Sequence, residues 1–442
     1  MNNIHHLPPP SNTWRDRLIV DKRGTAKPVF VNAAHALREA PAWHDVLAFD
    51  EFAKRTMMMQ PPPWDNVPTA FEARPWTTQD DLQTTEWLQQ QNILVTISVT
   101  ERAIEMVSTE RRYHPVLEYL SSLEWDGVPR LDLWMIVHLG AENNDYNKMV
   151  ARCTLIGAVA RVSDPGCKVD NMPIFEGLQG IGKSSMAQAL FEPWFSDEIA
   201  DLGSKDAAMQ AQGIWAIEIA ELDAMSRGEV SKIKAFTSRR TDRFRPPYGH
   251  RVIEYPRQCV FWGTTNSSGY LKDETGARRS WPVKCGKLDL AGLRAARDQL
   301  WAEAGQMYLA DVKWWITDSK VLKAAEAEQA ERYQGDPWDD LIAQYVASRS
   351  SVTIHELLTD AVFKHTDQQS HTDQLRAVRI LQHLKWERFQ QRNGNDRQWR
   401  YRRSIRASDQ VELSEKEVAM VRRVGHFIRA WRELAEFSSI LA

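Results

Sequence analysis

The run Gly177-Leu178-Gln179-Gly180-Ile181-Gly182-Lys183-Ser184-Ser185 constrains the fold of this chain more than any other nine residues. It fits G-x-x-x-x-G-K-[ST], in which glycines let a loop turn tightly and aim its backbone N–H groups at phosphate oxygens. Lys183 supplies a point charge for β- and γ-phosphates, and Ser184 offers a hydroxyl to Mg²⁺. A short apolar strand, Met172 to Phe175, precedes the loop. A helix over Ser184 to Leu190 follows, with the positive end of its dipole toward the same anion. This order predicts an α/β core that binds ATP and Mg²⁺, with Gly177, Gly180, Gly182, Lys183, Ser184 and Ser185 around the phosphates.

The rest of the chain is compatible with a soluble multidomain protein. It has 442 residues, 43% hydrophobic and 26% charged, enough for two or three domains. No apolar run reaches membrane-spanning length, and the first thirty residues read as polar and proline-containing rather than as a signal peptide. Cys153, Cys167, Cys259 and Cys285 form no C-x-x-C pair, which fits a reducing cytoplasm and argues against a zinc or disulfide framework. A net charge of −3 requires any nucleic-acid contact to come from local basic patches. Most of the eighteen tryptophans are expected in packing, with a minority free to stack on bases.

Four segments are expected. Residues 1–135 read as a mostly helical N-terminal region, loosely organised up to about residue 70. Residues 136–335 read as the nucleotide-binding core, with alternating strands and helices from Met172 to about Val283. Gln334-Gly335-Asp336-Pro337 marks a boundary. Residues 337–403 read as three helices and a basic hairpin turning at Asn393-Gly394, the order of a winged helix. Residues 404–442 end in an amphipathic helix, Ser414 to Phe437, whose Val418, Val421, Val424, Ile428, Trp431 and Leu434 form one stripe.

A glycine loop alone does not separate kinases, GTPases, transporters and helicases; the next hundred residues carry more. Ile214 to Glu221 reads as an apolar strand with two carboxylates, where such an enzyme needs acids to hold Mg²⁺ and polarise water. Glu221 at the strand end is expected to be the catalytic carboxylate, and Glu218 its partner in the metal shell. Lys232 to Arg251 then interleaves seven Lys/Arg with aromatic residues, a composition suited to single-stranded nucleic acid. Lys234, Arg245, Tyr248, His250 and Arg251 are its candidate DNA contacts, with Gly249-His250 at a hairpin tip. Cys259 to Asn266 is a buried-type strand whose Asn266 can sense a γ-phosphate. Arg278 and Arg279 are candidates for an arginine that reaches a neighbouring subunit's nucleotide.

These pieces together resemble superfamily 3 AAA+ helicases and, more narrowly, the virulence-associated protein E family of phages and phage-related islands, which is similar to viral primase-helicases. The likeness rests on His114-Pro115-Val116, Trp125 to Arg130, the glycine loop, Glu218 and Glu221, Phe244 to His250, Gly263 to Asn266 and Thr275 to Arg279. The resemblance implies an AAA+-like core and a homo-oligomeric ring, a hexamer, that hydrolyses ATP between subunits. Lys183, Ser184, Glu221 and Asn266 would lie on one side, with Arg278 or Arg279 from the neighbour. It also implies a channel hairpin near His250 that moves single-stranded DNA 3′→5′. The first ~130 residues are too short for a primase with its own core, so a separate primase or other replication proteins are expected partners.

In the C-terminal unit, Arg388, Arg392, Arg397 and Arg400 alternate with Phe389, Trp399 and Tyr401, a composition suited to duplex DNA. The sequence therefore predicts an ATP-dependent DNA helicase or translocase serving a phage or phage-related mobile element. An ATP-switched initiator or helicase loader, and an interference or defence ATPase, remain alternatives.

Overall fold

The computed structural model describes residues 13–65, 71–199, 204–245, 251–271, 279–333, 336–393 and 396–404. It divides into two compact units, Met1–Gln334 and Gly335–Ala442. The division falls at the predicted Gln334-Gly335 boundary.

The first unit opens with helix α1 (Phe30–Glu39), strands β1 (Leu47–Asp50), β2 (Arg55–Met58) and β3 (Arg74–Pro75), helices α2 (Thr78–Gln90) and α3 (Ile97–Ser108), and strand β4 (Arg112–Tyr113). The strands pair in the order β3-β2-β1-β4, antiparallel except for β1 with β4. The region is mostly helical as expected, but the expectation of loose organisation up to about residue 70 is corrected by this sheet and its core. Ala33, Leu37, Trp43, Leu47, Met58, Leu88, Ile93 and Ile104 share one buried core. The sequence hid the sheet because its strands have two to four residues, too short to display a period-two pattern.

Helices α4 (Pro115–Ser122), α5 (Trp134–Leu139) and α6 (Asp145–Ser163) lead into the nucleotide-binding region. Asn144 caps α6 by accepting from Asn147 N–H at 2.8 Å. This helix is buried nearly all round, so it reads as a core helix with no single apolar stripe. Then come β5 (Met172–Glu176), α7 (Lys183–Phe191), β6 (Phe195–Ser196), α8 (Lys205–Gln210), β7 (Ala216–Ile219), α9 (Arg227–Thr237), β8 (Thr241–Phe244), β9 (Ile253–Pro256), β10 (Val260–Thr265) and β11 (Ser280–Lys284), followed by α10 (Leu290–Leu309) and α11 (Ser319–Glu331).

Five strands form one parallel sheet in the order β11-β5-β10-β7-β6. Every residue of β5, β7 and β10 is buried, as expected for a parallel sheet covered on both faces. On one face, Trp134, Phe191, Trp215, Trp262 and Trp301 pack together, with Trp215 and Trp301 centroids 4.3 Å apart. The buried indoles also find acceptors: Trp215 donates to Ala158 O and Trp301 to Leu190 O, each at 2.9 Å. β8 and β9 form a separate antiparallel hairpin.

The second unit contains α12 (Asp339–Val346), a short α13 (Ile354–Glu356) running into a wider turn over Leu357–Ala361, α14 (His371–His383), and an antiparallel hairpin of β12 (Trp386–Asn393) and β13 (Asp396–Arg403). The predicted order of three helices and a hairpin is present. Thr353 with Glu356 and Ser370 with Asp373 form capping boxes at the starts of α13 and α14. Ile342, Val346, Leu357, Leu358, Ile380, Leu381, Trp386 and Tyr401 build its core. The C-terminal amphipathic helix predicted over Ser414–Phe437 lies outside the described residues.

Candidate nucleotide site

Gly177 to Gly182 connect β5 to α7 at the carboxyl end of the parallel sheet. Gly180 and Gly182 have φ of +82° and +99°, a region that favours glycine. A Cβ on Gly180 would meet nothing within 4 Å, whereas one on Gly182 would press on Leu290 Cδ1 at 3.2 Å. The first glycine thus serves the loop's turn, and the second also serves packing against α10.

Lys183 starts α7 with its side chain folded back beneath the loop. Its Nζ donates to Gly177 O at 2.8 Å, Leu178 O at 2.9 Å and Asn266 Oδ1 at 3.0 Å. Burial pushes this amine below its ordinary pKa, with Glu218 and Asp223 among the charges that oppose the shift. Ser184 Oγ donates to Glu218 Oε1 at 2.8 Å, and Thr264 Oγ1 donates to the same oxygen at 2.6 Å. Adjacent strands β7 and β10 bring these groups together, since Trp262 pairs with Glu218 and Gly263 with Ile219.

β7 stops at Ile219, and the chain turns through Glu221 in the left-handed region at φ +53°. The expected strand Ile214–Glu221 therefore overruns β7 by two residues at each end. Residues three apart on a straight strand point to opposite faces. The turn instead lets exposed Glu221 line the cleft while Glu218 stays buried beneath it. Gln179, Gly180, Gly182, Lys183, Ser184 and Ser185 face Glu221, Thr264, Thr265 and Asn266 across a cleft of about 350 Å³. Gly177 lies at the loop's other end, beside a separate cavity.

The fit to Mg²⁺ rests on Glu218. The residue is 1% exposed, and its Oε2 is buried with no hydrogen-bond partner. A carboxylate oxygen left in that state costs about 1–3 kcal/mol or more, so a cation or its water is a natural occupant. Mg²⁺ is typically held by one or two carboxylates together with substrate phosphates and waters. Ser184 and Glu218 fit that donor set. Among the described residues no three His, Cys, Asp or Glu side chains cluster as a self-sufficient metal site.

Several supporting residues escaped the sequence reading. Asp223 accepts from Thr265 Oγ1 at 2.8 Å and steadies the end of β10. Glu176, the last residue of β5, accepts from Arg332 Nε at 2.7 Å and Tyr270 OH at 2.8 Å in a buried cluster. Arg161, 1% exposed on α6, donates to Cys259 O, Cys167 O and Arg239 O. Its burial pushes the guanidinium below its ordinary pKa. An acid ending an apolar strand was a readable signal for Glu176; Arg161 offered none.

The remaining candidates are dispersed. Arg245 and Arg251 are exposed at the two ends of the β8–β9 connection, while Tyr248 and His250 lie outside the described residues. Lys234 sits in the last turn of α9. Part of the basic run has internal partners: Arg243 faces Glu254 at 3.5 Å, and Arg240 donates to Gly166 O at 2.7 Å. Arg279 is 3.3 Å from Asp170, and Arg278 lies outside the described residues. Arg388, Arg392 and Arg397 are exposed on the C-terminal hairpin. Arg400 is not presented with them: it donates to Ser351 Oγ at 3.1 Å and Glu356 Oε2 at 3.2 Å.

No helix among the described residues is long and apolar enough to cross a membrane. No curated protein matches the chain. Among solved structures it is similar to the apo structure of the NrS-1 C terminal region, at 14% identity and TM-score 0.43, covering 80% of this chain and 95% of that one. The A form apo structure of the same region matches at 13% identity and TM-score 0.41, with 81% and 96% covered. The family model for the virulence-associated protein E-like domain matches residues 120–334, a stretch that contains β5, the glycine loop, Glu218, Asn266 and Arg332.

Proposed function

We propose that this chain is an ATP-dependent DNA translocase, a helicase in the replication of a phage or phage-related mobile element. The observation that carries the reading is the joint arrangement of Lys183, Ser184 and Asn266 on one cleft at the end of a parallel sheet, with Glu218 bonded to Ser184 beneath it. The core is read as a P-loop, AAA+-like ATPase, and the second unit as a winged-helix-like DNA-binding domain. The domain match over residues 120–334 and the motif order support the first, and the order of three helices and a basic hairpin supports the second.

In this reading the loop N–H groups and Lys183 bind the triphosphate. Lys183 exchanges its two loop carbonyls for phosphate oxygens while Asn266 stays beside the γ-phosphate. Ser184 and Glu218 hold Mg²⁺, which supplies charge neutralisation at the phosphates when bound. Glu221, exposed and turned into the cleft, orients and deprotonates the attacking water. Arg278 or Arg279 completes the site from a neighbour in a ring, with Arg278 favoured because Arg279 is already paired with Asp170. Arg245, Arg251 and the tip between them grip single-stranded DNA, and closure around ATP moves that hairpin. Arg388, Arg392 and Arg397 contact DNA from the second unit.

The test is ATP hydrolysis by the purified protein with and without single-stranded DNA, with Lys183→Ala as the control. Stimulation by the strand that vanishes in the variant is expected, and unwinding of a forked duplex should follow. Hydrolysis indifferent to DNA would overturn the translocase reading in favour of an ATP switch or a defence ATPase.

A further inference from the structure

The C-terminal hairpin does more than carry positive charge. Its register pairs Trp386 with Arg403, Arg388 with Tyr401, Gln390 with Trp399 and Arg392 with Arg397. Paired and alternate residues share a face, so Arg388, Arg392, Arg397 and Trp399 all lie on the face whose base plugs into the core through Trp386 and Tyr401. Toward the tip that face has no core left to cover. Trp399 is 51% exposed, and the Arg388 guanidinium sits 4.0 Å from its ring centroid, in the diagonal position.

Two features of this face disfavour the isolated unit. A half-exposed indole leaves apolar surface in water. Arg392 and Arg397 are like charges directly opposite on neighbouring strands, which is destabilising, and neither has an acidic partner among the described residues. The other face behaves differently: Arg402 donates to Glu387 Oε1 at 2.9 Å, and Arg400 is held by Ser351 and Glu356. Unbalanced cations are thus gathered on the face that also carries the open ring.

The geometry points to a stacking site: the Trp399–Arg388 pair receives an unpaired base of single-stranded nucleic acid, while Arg392 and Arg397 hold the adjoining phosphates. Every base has a π-face, so such a platform is tolerant of sequence. Bases inside a duplex are already stacked and cannot use the ring, so the site selects a single strand or a frayed end over continuous duplex. The inference rests on the reading that the second unit contacts DNA and changes what it contacts.

The experiment uses the full chain without nucleotide. The probes are a short oligothymidylate with a single 2-aminopurine, its blunt duplex, and the corresponding single-stranded RNA. Anisotropy reads affinity, and 2-aminopurine quenching reads stacking. Trp399→Ala is expected to weaken single-strand binding roughly ten-fold and remove quenching, with duplex affinity unchanged and Trp399→Phe retaining most of both. Loss on DNA, RNA or both supports the site, and the two arms tell whether the sugar matters. Arg392→Ala and Arg397→Ala should each reduce the single-strand salt slope by roughly 0.7. If Trp399→Ala binds and quenches like wild type while the arginine variants weaken binding, the stacking site is wrong and the DNA contact stands. If none of the three variants alters binding to any probe, the hairpin is not a nucleic-acid surface at all. Far-UV circular dichroism of each variant checks that the hairpin unit remains folded.

Discussion

Glu218 Oε1 accepts from Ser184 Oγ at 2.8 Å while Glu218 Oε2 is buried without a partner. One carboxylate thus joins the first turn of α7 to the acidic strand and keeps an oxygen in reserve. Glu218→Gln keeps an acceptor for Ser184 but removes the charge. The expected result is near-normal nucleotide affinity in EDTA, loss of most of the Mg²⁺-dependent gain in affinity, and hydrolysis reduced by about a hundred-fold or more. Fluorescent nucleotide binding with and without Mg²⁺ reads the first two. An unchanged metal dependence would remove Glu218 from the metal shell.

Glu221 should behave differently, because it is exposed and makes no bond to Ser184. Glu221→Gln is expected to bind Mg²⁺–ATP as tightly as wild type and to hydrolyse it about 10²–10⁴-fold more slowly, the range for removing a general base. Single-turnover hydrolysis alongside equilibrium binding separates the two carboxylates. A Glu221→Gln protein that hydrolyses normally would transfer the catalytic role elsewhere.

The site was largely legible in sequence and much of its scaffold was not. The glycine loop, Lys183 and Ser184 are local in motif, because strand, loop and helix follow one another directly, and Asn266 joins them across 83 residues from the end of β10. Glu221 was placed on a strand that ends at Ile219, since nothing in an apolar run announces a left-handed residue. Arg161, Arg332 and Asp223 act through contacts far along the chain: Arg332 meets Glu176 across 156 residues. The small N-terminal sheet was invisible for a related reason. Its strands are too short to be periodic and exist through pairing and a shared core. Arg400 looks in sequence like its neighbours Arg397 and Arg402, and the hairpin register together with contacts to Ser351 and Glu356 separates it from them.

The buried cluster behind the glycine loop gives a stability prediction. Arg332 and Glu176 are 2.7 Å apart, both largely buried, and Tyr270 OH shares the same carboxylate oxygen. Removing Arg332 leaves Glu176 charged and desolvated, a loss of about 3–5 kcal/mol, whereas Arg332 without Glu176 still pairs with Glu328 and Glu331 and should lose less. Arg332→Met should lower stability by about that amount and Glu176→Gln by less, while the double variant should lose clearly less than their sum. Urea unfolding followed by tryptophan fluorescence measures all three. Strict additivity would show that the pair is not energetically coupled.

In the second unit, acid should loosen α14 first. Asp373 at its third helical position accepts from Lys364 Nζ at 2.5 Å, Ser370 Oγ at 2.7 Å and Ser370 N–H at 2.8 Å. The Lys364 ammonium, followed by the Ser370 bonds, lowers its pKa from 3.8 to about 2. A carboxyl depressed on folding contributes stability that is fully present above its unfolded value and is lost as pH falls through its folded one. The window is therefore from about pH 4 down to about pH 2, with no loss expected between pH 5 and 7. Hydrogen exchange of the α14 amides should accelerate across that window in the wild type. Asp373→Asn should exchange faster already at pH 6, by the equivalent of about 1 kcal/mol for the charge lost at the helix N-terminus, and should show a flatter acid response. Equal acid sensitivity in the two proteins would mean that other carboxylates govern the unit.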